Sequence, residues 1–376
     1  MGKSILSWLN IMALIACGTC HKTYPQNTNP FQCECGGVYD FLEFPEFRSE
    51  LPSKESLGMW KYRNLFGLQQ GAIEISLGEG NTSLLAIEHE NQKVFLKMES
   101  HNPTGSYKDR GTSVLVSCLK SRGVSFAVED SSGNAGASFA AYCAKAGIKA
   151  RVYVPESASG PKRTQIEMYG AELVRVPGLR VEAAKAVLEA ARSGAVYASH
   201  AYMPFGLAGI ASIAYEIEEQ LGNVPGTVIA PVGHGGLLYG IMRGFEAMRK
   251  SGYITREPYY IGVQSKGCAP LAEAYRKLSF ETNSVDQAET LAEGVKVTRP
   301  IRGTDILKRI SLGSGKIIAI DELELISSYK NLALLGIYAE PTSALAWAAV
   351  NYLDGKNPGP VVAVITGSGY KSNLNL

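Results

Sequence analysis

A single lysine, Lys108, stands where an apolar strand pattern changes to a helical pattern. Residues 94–98 are mostly apolar and predict a strand, and apolar residues recur at helical spacing after Lys108. We expect Thr104 or Ser106 to cap the free backbone N–H groups at the start of this helix. The positive end of a helix disfavours an ammonium ion, so Lys108 is a candidate amine nucleophile. The alternative is a solvated lysine beside Asp109.

Three more polar loops follow predicted strands and can supply other parts of a site. Residues Ser131 to Gly136 open a helix, and their N–H groups, hydroxyls and the Asn134 amide can bind a carboxylate or a phenolic oxygen. The glycines of Gly233 to Gly236 let the backbone approach a phosphate at another helix start. Thr366 follows the apolar run 361–365. Each loop alone is also compatible with an ordinary turn.

The glycine-rich loop does not match a dinucleotide or nucleoside triphosphate site. Leu238 occupies the place where a Rossmann fingerprint requires glycine, and no Gly-Lys-Ser/Thr follows. An amine, a phosphate cradle, a carboxylate loop and a hydroxyl at the carboxyl ends of strands instead favour a phosphorylated carbonyl cofactor. We therefore predict pyridoxal phosphate.

The N-terminal region contains a cluster of cysteines with the spacing of a zinc ribbon. Cys17 and Cys20 form one pair, Cys33 and Cys35 form the second pair, and twelve residues lie between the two pairs. Four thiolates would leave a zinc ion no open position, so this site would be structural. Four free thiols without metal are the alternative, and the low positive charge of the ribbon argues against nucleic-acid binding.

The composition fits a globular protein that binds small metabolites. The chain has 376 residues, 45% hydrophobic and 19% charged, and a formal net charge of +2. Seven cysteines, three of them isolated in apolar segments, favour a reducing compartment and hence the cytoplasm. The run Ile5 to Ala16 before Cys17 could also be a lipoprotein-type signal peptide, but it is short, contains Asn10, and Met12 is an alternative start.

The elements that must hold these loops alternate along the chain, as in parallel sheets covered on both faces. Strands are expected at 94–98, 125–129, 150–154, 172–176, 227–230, 259–263, 317–320 and 361–365. Helices are expected at 135–146, 164–169, 181–192 and 207–221, with a short one near 56–66. The pattern predicts an α/β fold, and the length allows two domains that share a cleft.

Taken in order, the motifs closely resemble the threonine synthase family of fold-type-II pyridoxal-phosphate enzymes, the group that includes tryptophan synthase β and cysteine synthase. The matching segments are Leu77-Gly-Glu-Gly-Asn-Thr82, Asn102-Pro-Thr-Gly-Ser-Tyr-Lys108-Asp-Arg-Gly111, Ser131-Ser-Gly-Asn134-Ala-Gly136, Gly233-His-Gly-Gly236, Glu340-Pro-Thr-Ser-Ala344 and Thr366-Gly-Ser-Gly369. The resemblance covers nearly the whole chain, and the lysine segment is highly specific. Many microbial threonine synthases also carry a cysteine-rich N-terminal ribbon.

The resemblance implies a role for each matching residue. Lys108 would hold the cofactor covalently and then act as the base. The cofactor would also be bound by Asn134, Gly233, His234, Gly235, Gly236 and Thr366, and the substrate carboxylate by Ser131, Ser132, Gly133, Asn134 and Ala135. Glu340 would lie near the ring or cap a surface helix. The neutral hydroxyl of Thr366 beside the pyridine nitrogen would make the ring a weaker electron sink, which suits elimination and replacement at the β or γ carbon.

The predicted architecture follows from this resemblance. Residues 41–94 and 206–376 would form a large pyridoxal-phosphate-binding domain, 95–205 a small domain, and 13–40 a zinc-ribbon-like segment. The large domain and the small domain would each be a doubly wound α/β domain, and a cleft would lie between them. Relatives are commonly homodimers, so we also expect a homodimer.

One segment departs from the family pattern. Threonine synthases usually carry an arginine and a lysine that bind the substrate phosphate, and here Gly206 and Ala211 stand in their places. Losing two charge-assisted contacts costs roughly 1.5–3 kcal/mol each. Lys162, Arg163 or Arg180 could replace them.

The first prediction is therefore a threonine-synthase-like lyase of amino-acid biosynthesis that converts O-phosphohomoserine and water to threonine and phosphate. The departures at Gly206 and Ala211 keep open a β-replacement or β-elimination enzyme acting on serine, threonine, O-phosphoserine or O-acetylserine. A non-catalytic homologue that binds an amino acid is the alternative of another class. We expect an amino-acid substrate and neither nucleic acid nor a membrane as a partner.

Overall fold

The computed structural model describes residues 15–48, 57–90, 92–158, 160–283, 285, 288–353 and 358–372. Nearly all of the possible signal peptide, the alternative start Met12 and the first two residues of the predicted ribbon lie outside these residues. None of the helices in these ranges has the length and apolar character needed to cross a membrane.

The strands in the described part of the chain form three sheets. Their bounds are β1 Ile15–Cys17, β2 Tyr39–Phe41, β3 Leu84–His89, β4 Gln92–Met98, β5 Phe126–Glu129, β6 Lys149–Pro155, β7 Glu172–Val176, β8 Val196–Tyr197, β9 Thr227–Pro231, β10 Tyr259–Ser265, β11 Gly315–Ile320 and β12 Val361–Ile365.

Helices connect most of these strands. Their bounds are α1 Lys108–Ser121, α2 Asn134–Ala146, α3 Pro161–Met168, α4 Arg180–Arg192, α5 Phe205–Leu221, α6 Gly236–Lys250, α7 Pro270–Arg276, α8 Gly303–Arg309, α9 Glu322–Leu334 and α10 Pro341–Ala348. A 3₁₀ helix, Gly58–Leu65, lies where a short helix was expected.

The two larger sheets are built mainly from parallel strands. The six-stranded sheet has the order β11-β10-β9-β12-β4-β3, in which β3 alone runs antiparallel to its neighbour, and the four-stranded sheet has the parallel order β7-β6-β5-β8. Strands β9 and β12 are buried along their whole length, as expected where helices cover both faces. The predicted doubly wound α/β organisation is confirmed.

The division into domains stays a prediction, although the sheets bear on its boundaries. The boundary predicted at residue 95 falls inside β4, which belongs to the six-stranded sheet. The strands of the four-stranded sheet all lie between residues 126 and 197. A boundary after Met98 would therefore keep each sheet within one domain.

Glycines allow α1, α5 and α6 to pack with their backbones close together. A Cβ atom at Gly209 of α5 would collide with the carbonyl oxygen of Arg110 in α1. A Cβ atom at Gly244 of α6 would lie 2.6 Å from the carbonyl oxygen of Ala211 in α5. This packing fixes the start of α1, where Lys108 lies.

Candidate active site

The loops at the carboxyl ends of neighbouring strands meet around one cavity. Strands β9, β12 and β4 are adjacent in the larger sheet, and β5 belongs to the smaller one. The loops that follow them line the cavity with all the residues predicted to bind the cofactor or the substrate: Lys108, Ser131, Ser132, Gly133, Asn134, Ala135, Gly233, His234, Gly235, Gly236 and Thr366. The role of each residue stays a prediction.

Lys108 is the first residue of α1, as expected, but the predicted cap is wrong. Tyr107 occupies the N-cap position without a side-chain capping bond. Thr104 instead donates its N–H and its hydroxyl to the buried carboxylate of Asp109, at 2.6 Å each. Burial raises the pKa of Asp109 to about 6, against the effect of these bonds. Lys108 lines the cavity with its Nζ atom 4.7 Å from the centroid of the Tyr107 ring, so it is not a solvated surface lysine.

The loop before α6 has the geometry of an anion cradle. Gly235 has a φ of +94°, which disfavours any residue with a side chain, and α6 begins at Gly236. A Cβ atom at Gly236 would meet no atom within 4 Å, so this position faces open space in the cavity. The first N–H groups of a helix lack intrahelical partners and favour a bound anion. A cofactor phosphate fits this cradle.

Glu340 is a buried acceptor and not a surface cap. Its carboxylate accepts hydrogen bonds from Asn134 Nδ2 and from Thr366 Oγ1, both at 2.8 Å, and its side chain does not cap α10. Lys162 Nζ lies 3.8 Å from the same carboxylate. The Oδ1 atom of Asn134 is buried and has no hydrogen-bond partner among the described residues. Oδ1 can accept a hydrogen bond, and Nδ2 has a second proton to donate, so Asn134 has polar capacity left for the ring oxygen of a cofactor.

Two titratable residues at the cavity were missed by sequence reasoning. Glu129 ends β5 and His200 follows β8, and Glu129 Oε1 lies 2.7 Å from Nδ1 of His200, which lines the cavity. Burial raises the pKa of Glu129 well above its ordinary value and lowers the pKa of His200 well below its own. The sequence does show a carboxylate at the end of a buried strand. Because Asp130 directly follows Glu129, the sequence alone could not show which of the two carboxylates contacts His200.

His234 is half-buried and also lines the cavity. Burial lowers the pKa of His234 to about 3, and its Nδ1 atom has no hydrogen-bond partner among the described residues. The ring centroids of His200 and His234 are 5.9 Å apart. Both imidazoles are therefore neutral at neutral pH.

Besides Lys108, two basic residues line the same cavity as Gly206, one of the positions that depart from the family pattern. Lys162 and Arg180 are among the lining residues, whereas Arg163 is not and donates to the carbonyl oxygen of Ala158. Gly206 also lines the cavity, but a Cβ atom there would lie 3.2 Å from the carbonyl oxygen of Gly111. Ala211 is fully buried where α5 meets α6. A side chain at Gly206 would therefore press against the backbone of α1, and a longer side chain at Ala211 would have to fit between packed helices.

The four N-terminal cysteines lie together beside the antiparallel pair of β1 and β2. Their Sγ atoms all lie within 4.8 Å of one another. Tetrahedral zinc with sulfur ligands places the sulfur atoms about 3.8 Å apart, so the cluster has the dimensions and donor set of a zinc site. Cys17 and Cys33 are buried, and Cys20 and Cys35 are exposed.

Comparison with known protein families and sequences gives one consistent result. The pyridoxal-phosphate dependent enzyme family matches residues 75–367. The chain is 34% identical to threonine synthase of Methanocaldococcus jannaschii over 373 residues, which cover 94% of this chain and 92% of that protein. It is 30% identical to threonine synthase of Methanosarcina acetivorans over 357 residues, covering 90% and 86%.

Solved structures resemble this chain in fold. Maize serine racemase superposes with a TM-score of 0.68 at 19% identity, covering 77% of this chain and 89% of the racemase. Serine racemase of Dictyostelium discoideum superposes with a TM-score of 0.66 at 22% identity, covering 78% and 93%. At these identities the likeness shows the fold alone.

Proposed function

Because the chain belongs to the pyridoxal-phosphate dependent enzymes, and within them to the threonine synthase family, we propose that it converts O-phosphohomoserine and water to threonine and phosphate. The class of enzyme, a pyridoxal-phosphate-dependent lyase, follows from membership of this family. The choice of substrate is supported by one observation: Lys162 and Arg180 line the cavity in which the usual phosphate-binding arginine and lysine are missing.

The residues around the cavity fit pyridoxal phosphate. The cradle of Gly233 to Gly236 would hold its phosphate, Lys108 would bind its carbonyl carbon, and Asn134 and Thr366 would contact the ring. When bound, the cofactor supplies an electron sink that stabilises negative charge at the substrate α-carbon. Lys108 would remove and return carbon-bound protons, and the helix start at Ser131 to Asn134 would receive the substrate carboxylate.

The proposed reaction is tested by following both products in one tube. The purified, cofactor-loaded protein should release phosphate from O-phosphohomoserine and form threonine in equal amounts. Lys108→Ala should abolish turnover and the visible absorbance of the lysine-bound cofactor, since it removes the amine at the start of α1. Turnover of serine, O-phosphoserine or O-acetylserine without turnover of O-phosphohomoserine would favour the β-carbon alternative.

The role of Arg180 in substrate recognition can be tested separately. Arg180→Gln removes one cation from the cavity and should raise KM for O-phosphohomoserine by roughly 10- to 100-fold, the effect of one charge-assisted hydrogen bond. Arg163→Gln is the matched control because it makes the same chemical change at an arginine that does not line the cavity. Equal effects of the two substitutions on KM would contradict this role.

We also propose that the cluster of Cys17, Cys20, Cys33 and Cys35 binds one structural zinc ion. The proximity of four thiols with no open ligand position supports this proposal. Metal analysis of the purified protein should give one zinc per chain. Cys20→Ser should lose the metal, whereas Cys268→Ser, which changes a thiol outside the cluster, should retain it.

A homodimer in the cytoplasm is the state we propose for the protein. The dimer is inferred from the family, and light scattering of the purified holoenzyme would measure it. None of the seven cysteines forms a disulfide, which supports a reducing compartment. A monomeric holoenzyme at micromolar concentration would contradict the dimer.

A further inference from the structure

The pair of Glu129, which is buried, and His200, which is half-buried, has no part in the functions assigned above. Strands β5 and β8 are parallel neighbours, so Glu129 at the end of β5 and His200 after β8 lie at the same edge of the smaller sheet. The side chain of Glu129 is 1% exposed and that of His200 is 19% exposed, with His200 lining the cavity. The 2.7 Å contact joins Oε1 of Glu129 to Nδ1 of His200. The pair therefore extends from the protein interior to the cavity that holds Lys108.

The hydrogen-bond pattern determines where the proton of this pair lies. Oε2 of Glu129 is buried and has no partner among the described residues, so a proton on Oε2 would have no acceptor. Burial disfavours both a charged carboxylate and a charged imidazole here. This arrangement favours one proton between Oε1 and Nδ1, with the proton of the ring itself on Nε2. Because Nδ1 contacts Glu129, Nε2 is the remaining polar atom of a ring that lines the cavity.

Other charged groups near the pair act in both directions. Asp130 raises the pKa of Glu129 in the same direction as burial, and the positive charges of Lys108 and Arg180 lower it. Lys108, His234 and Arg180 all lower the pKa of His200. These cations would stabilise a Glu129 carboxylate formed transiently, although the resting pair is neutral.

We propose that His200 is a second catalytic residue, which passes a proton from its Nε2 atom to the departing phosphate oxygen and recovers one from the water that adds at the β-carbon, with Glu129 as the positioning residue that supplies and takes back the proton at Nδ1. This inference rests on the proposed function. It divides the proton transfers of the reaction between two groups, Lys108 for carbon-bound protons and His200 for oxygen-bound protons.

Atoms and charges balance over the two steps. In the first step the bond between the γ-carbon and the phosphate oxygen breaks, its electron pair stays on oxygen, and that oxygen takes the proton of Nε2 while Nδ1 takes the proton shared with Glu129. In the second step the water oxygen bonds to the β-carbon, its proton goes to Nε2, and the proton on Nδ1 returns to Glu129. Lys108 moves the remaining protons, one of which passes overall from the β-carbon to the γ-carbon. The pair ends in its starting state.

The test measures threonine and phosphate together in His200→Gln. Glutamine at position 200 can accept or donate a hydrogen bond, but it cannot take up a proton at one atom and release a proton from another. We expect kcat to fall by roughly 10²-fold or more while the absorbance of the lysine-bound cofactor is retained. We also expect less than one threonine per phosphate, because the unhydrated product escapes and hydrolyses to a 2-oxo acid and ammonia. The pH profile of kcat should lose one ionisation.

Two further variants separate proton transfer from simple support of the fold. Glu129→Gln should also lower the threonine-to-phosphate ratio and remove the same ionisation, since an amide cannot give up and recover the proton at Nδ1. Asp130→Asn makes the same chemical change one residue later, at a carboxylate that accepts a hydrogen bond from the Tyr197 hydroxyl. It should keep the wild-type ratio and retain the ionisation, which moves to lower pH because Asp130 raises the pKa of Glu129.

The outcomes distinguish this inference from the proposed function. If the wild type forms threonine and phosphate equally and His200→Gln does so with a similar kcat and pH profile, the role of His200 is wrong and the proposed function stands. If the wild type releases no phosphate from O-phosphohomoserine, the proposed function and this role are both wrong.

Discussion

At the scale of single residues, the carboxylate of Glu340 joins two sides of the cavity. It accepts one hydrogen bond from Asn134, which follows a strand of the smaller sheet, and one from Thr366, which follows a strand of the larger sheet. Under the proposed arrangement these two residues contact the ring of the cofactor. One carboxylate thus sets the orientation of both ring contacts.

Replacing this carboxylate should weaken cofactor binding. Glu340→Gln keeps the shape but leaves one oxygen to accept from two donors, so at least one hydrogen bond to a charged group, worth about 1.5–3 kcal/mol, is lost. We expect the Kd of the apoprotein for pyridoxal phosphate to rise roughly 10- to 100-fold, measured by absorbance titration. Glu289→Gln, at a fully exposed carboxylate, is the control. A wild-type Kd in Glu340→Gln would show that Glu340 does not orient the ring contacts.

At the scale of elements, a buried charge network ties α1 to α5 and β4. Arg110 of α1 contacts Glu99 at 2.6 Å and Glu216 of α5 at 2.7 Å, and Lys97 of β4 contacts Glu216 at 2.8 Å. All four side chains are at most 1% exposed, and their formal charges cancel. Because Arg110 is two residues from Lys108, the network fixes the turn that carries the lysine.

Breaking this network should strongly destabilise the protein. Glu216→Gln leaves Arg110 and Lys97 buried with only the charge of Glu99 nearby, and removing one partner of a buried ion pair costs about 3–5 kcal/mol. The free energy of unfolding in urea would measure the loss. Glu219→Gln is the matched control on the same helix, since Glu219 is 54% exposed and exposed pairs contribute about 0–1 kcal/mol. Similar losses in the two variants would contradict a special role for the network.

The difference in unfolding free energy between the wild type and Glu216→Gln should also depend on pH. Burial alone would raise the pKa of Glu216, but the charges of Arg110 and Lys97 hold this pKa well below its ordinary value of 4.5. A carboxyl group whose pKa is lower in the folded state stabilises the fold above its unfolded pKa and loses this contribution as the pH falls. The gap in unfolding free energy between the wild type and Glu216→Gln should therefore shrink as the pH falls below about 4.5. A constant gap between pH 7 and pH 3 would contradict this assignment.

Most of the regular elements could be predicted from sequence because their apolar patterns are long and clear. The strands at 172–176 and 361–365 were predicted with the bounds that the structure has, and α5 ends before Gly222 as expected. The short strand β8 and the antiparallel edge strand β3 were missed. Two residues carry no periodicity, and the apolar run at the start of β3 does not alternate with polar residues as an edge strand would.

Site residues that belong to a motif of several residues could be predicted from sequence, whereas single side chains outside a motif could not. Lys108 and the glycine loop belong to recognisable motifs, so the sequence predicted that they line one cavity. Glu129 and His200 are far apart in sequence, and their contact depends on the pairing of β5 with β8. Sequence could name Lys162, Arg163 and Arg180 as possible cations but not choose among them, because their distance from the cavity is a tertiary property.

At the scale of the whole molecule, the N-terminal ribbon packs against the segment that leads into α5. The ring of Phe31 lies 5.4 Å from that of Tyr202, and the ring of Tyr24 lies 5.1 Å from that of Phe205. Arg302 donates to the carbonyl oxygens of both Tyr39 and Tyr202. The same segment contributes His200, Met203 and Gly206 to the cavity. The ribbon therefore supports one wall of the candidate active site from behind.

Removing the proposed zinc ion should lower stability and activity together. A chelator strong enough to remove a four-thiolate zinc ion should lower Tm by at least about 5 °C, because the binding energy of a structural metal is part of the folding energy. It should also lower kcat while the lysine-bound cofactor remains visible by absorbance. Calorimetry and activity before and after adding zinc back would measure both effects. Unchanged Tm and kcat in zinc-free protein would contradict the supporting role.

The position of β12 has a consequence for how the protein is made. This strand is the last of the described chain, yet it lies between β9 and β4 inside the six-stranded sheet and carries Thr366 at its end. The segment after it also pairs with the loop before Lys108, where Ser368 donates to the carbonyl oxygen of Gly105. Before the ribosome has synthesised these residues, strands β11, β10 and β9 are not joined to strands β4 and β3. The loop before Lys108 also lacks the segment with which it pairs. A chain that ends before β12 lacks the strand that joins β9 to β4, so we expect it not to form the cavity around Lys108.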